Sequence, residues 1–171
     1  EATAAALRDT RDSFTEATRG QRTRVAATYA GGFLGFDNNF TKYSVETSHY
    51  WPLWWKFVGN LRGTFWYGDS FGSTPNLPAQ ERFYLGGANT VRGFRNFTIS
   101  PTDAAGGETG GNKAYFANAE LLFPLYETMR LRGAVFFDVG NNLDERSSMT
   151  DLFTSVPRLG AGIGVRFNSP I

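Results

Sequence analysis

Long stretches of alternating polar and apolar residues, aromatic residues gathered at their ends, and connections that alternate short and long predict an all-β chain. Together they predict part of an up-and-down antiparallel transmembrane β-barrel with one very long loop. The alternation runs through six clear segments. Between Arg22 and Ala30, Val25, Ala27 and Tyr29 share one face, and Arg22, Arg24 and Thr28 the other. From Thr41 to His49, Tyr43, Val45 and Thr47 oppose Lys42, Ser44, Glu46 and Ser48. From Lys56 to Tyr67, Phe57, Leu61 and Phe65 oppose Lys56, Asn60, Arg62 and Thr64. Residues 114–123 set Tyr115, Ala117, Ala119, Leu121 and Phe123 against Asn118 and Glu120. Residues 130–139 set Leu131, Val135, Phe137 and Val139 against Arg130, Arg132 and Asp138. Leu159, Ala161, Ile163, Val165 and Phe167 alternate with Arg158, Gly160, Gly162, Gly164 and Arg166. A weaker seventh strand is read near Ala4 to Asp12. Strands of soluble sheets cluster at about 5–6 residues, whereas a tilted strand that crosses a bilayer needs about 9–11.

The ends and connections carry the membrane reading. The apolar faces are almost free of charge along their centres. Tyr50, Trp51, Trp54, Trp55, Trp66, Tyr67 and Tyr126 lie at strand ends. There they predict the belts of amphipathic rings that flank a lipid-facing band, with Trp51, Trp54, Trp55, Trp66 and Tyr67 as the interface set. Counted from the weak first strand, residues 13–20, 51–55 and 124–129 are short turns, and 31–39, 68–112 and 140–156 are loops. An up-and-down membrane barrel sorts its connections in this way. A soluble β-sandwich remains the rival architecture, and it would dissolve without detergent.

Composition removes other classes. The 171 residues include 20 Gly, 16 Phe, 7 Tyr and 4 Trp and no Cys, so disulfides, thiolate metal sites and Cys nucleophiles are excluded. The balance of 17 Lys and Arg against 16 Asp and Glu offers no basic field for nucleic acid. A mean hydropathy of −0.32 fits a sheet with one lipid face and one polar face, and no apolar run is long enough for a membrane helix. The aromatic content argues against disorder.

The 68–112 loop is the informative stretch. A structureless loop of this length is unusual in a compact domain unless it is functional. Pro75 and Pro78 open it, and a Gly-rich tract from Ala104 to Asn112, expected to be mobile, closes it. Its middle, Glu81 to Phe97, is dense in aromatics, glycines and arginines and predicts an ordered tongue docked on a surface.

Phe83-Tyr84-Leu85-Gly86-Gly87 followed by Val91-Arg92-Gly93-Phe94 resembles the signature loop of the outer-membrane insertase superfamily. Other pieces match in order: Asp9-Thr10-Arg11-Asp12, Thr18-Arg19-Gly20, Glu120-Leu121-Leu122-Phe123-Pro124, Phe136-Phe137-Asp138-Val139-Gly140, and Gly160 to Phe167 with Ser169-Pro170. The resemblance spans essentially the whole chain, and Phe94 is the variant typical of the superfamily's assembly-factor branch. It implies that Val91, Arg92, Gly93 and Phe94 form a loop lock inside the barrel. Gly86 and Gly87 would shape the loop backbone, and Arg92 would meet Glu120 and Asp138. The alternation independently puts both carboxylates on the polar face. A guanidinium suits this role because its rigid fork pairs with carboxylates bidentately. Gly93 would permit a positive φ or a close approach, and Phe94 would pack the tip.

The resemblance further implies a bacterial outer-membrane location and a non-enzymatic role in folding and inserting β-barrel proteins. It implies membrane lipids, unfolded outer-membrane proteins and periplasmic lipoprotein subunits as partners, with no metal and no cofactor. It reads residues 1–171 as strands eight to fourteen of a sixteen-stranded barrel, with the POTRA domains and remaining strands outside this chain. A two-partner secretion transporter and the barrel anchor of a surface enzyme are the rival functions.

Other candidate sites carry little. Gly160-Ala161-Gly162-Ile163-Gly164 superficially resembles a dinucleotide fingerprint, but it lies within a period-two run rather than before a helix. Its glycines are expected to clear space on the lumen side for the docked loop. His49 is a lone histidine at a strand end. Asp9, Asp12, Glu16, Asp144, Glu145 and Asp151 fall in turns or loops and are assigned to solvation.

Overall fold

The computed structural model describes residues 1–35, 37–126, 128 and 130–167; Ser169 and Pro170 and parts of the 124–129 turn lie outside them. Seven strands form one antiparallel sheet in sequence order: β1 (Ala2–Asp9), β2 (Gly20–Ala30), β3 (Phe40–Pro52), β4 (Val58–Ser70), β5 (Lys113–Tyr126), β6 (Leu131–Leu143) and β7 (Arg158–Phe167). The described strands all belong to this single sheet, so the two-sheet sandwich is not the architecture.

Register turns the sequence alternation into two faces. Ala6, Val25, Val45, Phe65, Tyr115 and Asn141 are successive Cα partners across β1 to β6 and make one row of the outer face. Arg62, Asn118, Asp138 and Gly160 make a row of the inner face, which carries the long loop. The outer face is apolar yet largely open: Val25, Val45, Leu61, Val135, Phe137 and Ile163 are all exposed, Ile163 at 85%. Such a surface is costly against water and is what lipid selects on a membrane strand.

Strand ends depart from expectation where side chains decide. β1 stops at Asp9 rather than Asp12, because Arg11 turns back: its backbone N–H and its guanidinium both donate to the Asp9 carboxylate. β6 continues past residue 139 to Leu143. Gly140, Asn141 and Asn142 have turn composition, but pairing with Phe116, Tyr115 and Ala114 holds them in the ladder. Their amides serve neighbouring loops, Asn142 donating to the carbonyl oxygens of Phe83 (2.7 Å) and Ile99 (3.2 Å).

The β1–β2 turn rests on Asp12, which accepts from the backbone N–H groups of Thr18 (2.9 Å) and Arg19 (3.1 Å) and from the Thr18 hydroxyl. The Thr18 hydroxyl and amide hold its carboxyl at about 2, below the ordinary 3.8. A depressed carboxyl stabilises the fold above its unfolded value and loses that contribution as pH falls through the folded one. Amide protection at Thr18 and Arg19 is therefore expected to be constant above pH 3.8 and to fall as pH drops toward 2. Hydrogen exchange measures it, and Asp12→Asn should abolish the transition.

The interface aromatics divide. Trp51 lies on the outer face at the turn end of β3, over Gly59, where a Cβ would stand 2.5 Å from the indole. Trp54 and Trp55 are exposed in the β3–β4 turn beside Phe57. Tyr67 stacks with Tyr43 on the outer face at the opposite end. Trp66 is corrected: it lies on the inner face against Phe83 and Phe116. Tyr50 is likewise inner, packed on Val58, Leu122 and Ala134. Alternation requires this, since both are even-numbered on strands whose odd residues face outward.

The acidic loop residues do more than meet solvent. Asp151 and Ser148 form a reciprocal capping box on helix α1 (Met149–Thr154), between β6 and β7. Asp144 is buried and takes the Arg146 guanidinium (2.9 Å from Nε), while Glu145 accepts from the Leu77 N–H (3.3 Å). The 104–112 tract is also tied down at its end. Gly111 bridges Phe83, and buried Asn112 donates to the Gly68 carbonyl (2.9 Å). Residues 103–107 form a tight exposed turn in which Asp103 accepts from the Ala105 and Gly107 N–H groups.

Candidate functional site

The loop between β4 and β5 lies on the inner face because it carries its own apolar core there. Leu85, Val91 and Ile99 are buried with Ala114 and Phe116 of β5, and Trp66, Phe83 and Phe94 pack around them. Leu85 bridges Ile99, closing the segment that contains residues 91–94 into a compact tongue. Gly86 and Gly87 shape its neck with φ of 104° and 94°. A Cβ on Gly86 would stand 2.3 Å from the Arg95 carbonyl oxygen, so neither conformation nor space admits a side chain. Gly93 has φ 90° with open space around it, so it serves the turn and not a close approach.

Arg92 is fixed at both ends of its side chain. Its backbone N–H donates to Asp138 Oδ2 (2.9 Å), and Nε and Nη2 straddle the same carboxylate at 2.7 and 2.6 Å. Nη1 donates to Glu120 Oε1. The guanidinium lies 3.7 Å from the centroid of the Phe136 ring, a close cation–π contact. Asp138 is 0% exposed, and Glu120 is buried. One loop residue thus bridges β5 and β6. The charges balance because Arg166 of β7 also donates to Glu120 Oε1, at 2.6 Å. A buried pair is sound only when its remaining polar valences are filled. Asn118 fills the Asp138 side, donating to Asp138 Oδ1 (2.8 Å) and to the Thr90 carbonyl (2.6 Å), while Glu120 Oε2 stays buried without a hydrogen-bond partner among the described residues.

The floor beneath the tongue is cut to shape. At Gly160 a Cβ would stand 2.1 Å from the Arg92 carbonyl oxygen, and at Gly140 2.8 Å from a Val91 methyl. The three β7 glycines differ, however. Gly160 makes room for the loop, Gly162 for the Phe136 ring (2.7 Å), and Gly164 faces open space, so the expectation that all three accommodate the loop is corrected.

The structure brings Arg92, Glu120 and Asp138 together, with Val91 and Phe94 in the adjoining apolar cluster. Arg166, Asn118 and Phe136 also belong to the site, and no motif in the sequence marks them as neighbours of Arg92. Their inner-face parity was the available signal. A further seam links the loop to β3 and β4: Lys42 Nζ meets Glu81 at 2.8 Å, and Arg62 donates to the Asn89 carbonyl (3.1 Å). Among the described residues no cluster of His, Asp or Glu is arranged to hold a metal ion. What the arrangement can do is hold a long loop in one position against three consecutive strands.

A single antiparallel sheet with a lipid-facing outer side and an arginine-pinned loop inside defines an outer-membrane barrel segment. The family profile described as the Omp85 superfamily domain matches residues 1–171, and the chain belongs to that superfamily. It is 31% identical over 167 residues to the outer membrane protein assembly factor BamA of Nitratidesulfovibrio vulgaris strain Hildenborough, covering 96% of this chain and 20% of that protein. It is 33% identical over 151 residues to BamA of Neisseria meningitidis serogroup B, covering 82% of this chain and 18% of that one. The fold matches the crystal structure of Haemophilus ducreyi BamA lacking POTRA domains 1–3, with TM-score 0.84, 22% identity, and coverage of 99% of this chain and 36% of that chain. The chain therefore spans about a fifth of the length of these curated relatives. Its location is the bacterial outer membrane.

Proposed function

We propose that the protein containing this chain folds and inserts β-barrel proteins into the outer membrane. The observation that carries the reading is the docked tongue, with Arg92 fixed to Asp138 and Glu120 on the inner side of a lipid-facing sheet. Support comes from two relatives named as outer membrane protein assembly factors, each at least 31% identical. The work needs no bond chemistry. A strand edge offers unpaired N–H and C=O groups to which an incoming strand adds by backbone pairing. A narrow apolar band thins the bilayer locally and lowers the barrier to insertion. The tongue keeps the inner face ordered while the edge opens. In this reading residues 1–171 are the eighth to fourteenth strands of a sixteen-stranded barrel. Unfolded outer-membrane proteins are its clients, the surrounding lipids its solvent, and periplasmic lipoproteins its accessory subunits.

Depletion in the native bacterium tests the proposal. Folded client barrels, detected by their heat-modifiable migration, are expected to decline together, and the wild-type protein should restore them. Loss of one secreted protein with folded barrels unchanged would instead indicate a secretion transporter.

A further inference from the structure

We propose that residues 144–157, between β6 and β7, form a lipid-contacting element that folds over the outer face and places Phe153 among the acyl chains of the membrane leaflet on the long-loop side. The inference rests on the membrane reading of the outer face and adds a site to it.

Position comes first. Phe153 stacks on Tyr115 (5.3 Å between centroids, 19°) and on Phe65 (6.4 Å, 14°). Both belong to the outer row that runs from Val25 to Asn141. That row lies two residues inside Tyr67, whose ring marks the long-loop end of the outer face, so α1 reaches back past the rim onto the apolar band. Met149, Leu152 and Phe153 share one helical stripe by their spacing. Leu152 is fully buried, yet Phe153 remains 60% exposed after its two ring contacts. Phe153 is stacked on two rings of the same face that carries the exposed Val45, Leu61 and Phe137.

The polar groups point the same way. A segment at the edge of hydrocarbon must satisfy its backbone internally, because water is scarce there. The capping box fills donors at the start of α1. At its end Ser155 donates both its N–H (2.9 Å) and its hydroxyl (2.6 Å) to the Asp151 carbonyl, and the Thr154 hydroxyl donates to Thr150 (3.1 Å). Asn141, from the sheet itself, donates to the Leu152 carbonyl (3.3 Å) and to Ser155 Oγ (2.7 Å). Lys113 gives an independent sign. It is the Cα partner of Tyr67 and Leu143 on the outer face, yet only 4% exposed. Its ammonium donates to Asn112 Oδ1 (2.9 Å) and to the carbonyl oxygens of Asp144 (2.6 Å) and Ser147 (2.9 Å), filling its three N–H bonds. A lysine beside water needs no such enclosure. One beside lipid does, and this segment supplies two of the three acceptors.

The 171 residues contain no Cys, and any Cys elsewhere in the protein is first replaced by Ser, so that each introduced cysteine is the single site of labelling. The protein as extracted from the outer membrane, carrying Phe153→Cys, Phe137→Cys or Ala105→Cys, is labelled with an environment-sensitive dye and reconstituted into phosphatidylcholine vesicles. Quenchers are a lipid spin-labelled near the glycerol end of its acyl chain and aqueous iodide. The dye at 153 is expected to lose most of its emission to the lipid label and little to iodide, as at 137, while 105 shows the reverse. Iodide quenching at 153 equal to that at 105, with 137 still lipid-quenched, overturns the inference and leaves the barrel reading intact. Shielding of 153 from both quenchers means that protein covers the patch, and also overturns it. Failure of the lipid label at 137 as well overturns the membrane reading itself.

Discussion

Arg92→Ala is expected to release the tongue from the sheet, destabilising its docked state by about 3–5 kcal/mol, the range for removing one partner of a buried ion pair. The reason is what remains. Asp138, fully buried, loses the guanidinium and keeps two neutral donors, the residue-92 backbone N–H and Asn118, while Glu120 keeps only Arg166. Arg92→Lys should recover part of the loss, since an ammonium keeps the charge but cannot straddle Asp138 while reaching Glu120. Protease cutting at the exposed 103–107 turn reads the docking, and assembly of client barrels reads the function. Both should worsen in the order wild type, Lys, Ala. Because Arg92 and Asp138 form one network, Arg92→Ala combined with Asp138→Ala should be less harmful than the sum of the two. Normal protease protection and normal assembly in Arg92→Ala would sink the lock.

The parts legible in sequence and those that were not divide along a physical line. Alternation is imposed by the strand itself, so Glu120 and Asp138 could be assigned to one face without any knowledge of packing. The same rule applied to residue 66 would have put Trp66 inside. Treating large rings at strand ends as interface residues overrode it, because a core and a membrane interface both favour large amphipathic rings. Gly140-Asn141-Asn142 read as a turn by composition. In the fold the glycine yields space to Val91, and the two amides hold the helix α1 segment and the tongue, demands set by distant residues. Arg166 was hidden for a geometric reason. Its Cα partner is Arg132, and its reach to Glu120 crosses β6 diagonally, which depends on strand stagger that sequence does not display. The placement of Phe153 was equally hidden, since nothing in a loop's own sequence states which side of the rim it folds toward.

The β7 glycines allow the docking to be tested without touching a charge. Gly160→Val should be the most damaging of three substitutions, because its Cβ would stand 2.1 Å from the Arg92 carbonyl oxygen, a backbone atom held by the tongue's own bridges. Valine favours extended strand, so the sheet has no reason to reject it, and the loop must lift instead. Overpacking of this kind costs about 1–3 kcal/mol and sometimes more. Gly162→Val meets only the edge of the Phe136 ring at 2.7 Å. A ring can tilt, so the expected effect is smaller and takes the form of a weakened seat under the Arg92 guanidinium. Gly164→Val meets nothing within 4 Å and should match wild type. Protease protection of the tongue is therefore expected to fall steeply at 160, modestly at 162 and not at 164, while heat-modifiable migration of the barrel stays unchanged in all three. A general penalty for valine on this strand would give three equal losses, and a tongue that rests only on β5 and β6 would give none. The graded order follows only if the loop backbone at Arg92 is seated on β7, with the space left by the missing side chain at position 160 as part of the lock.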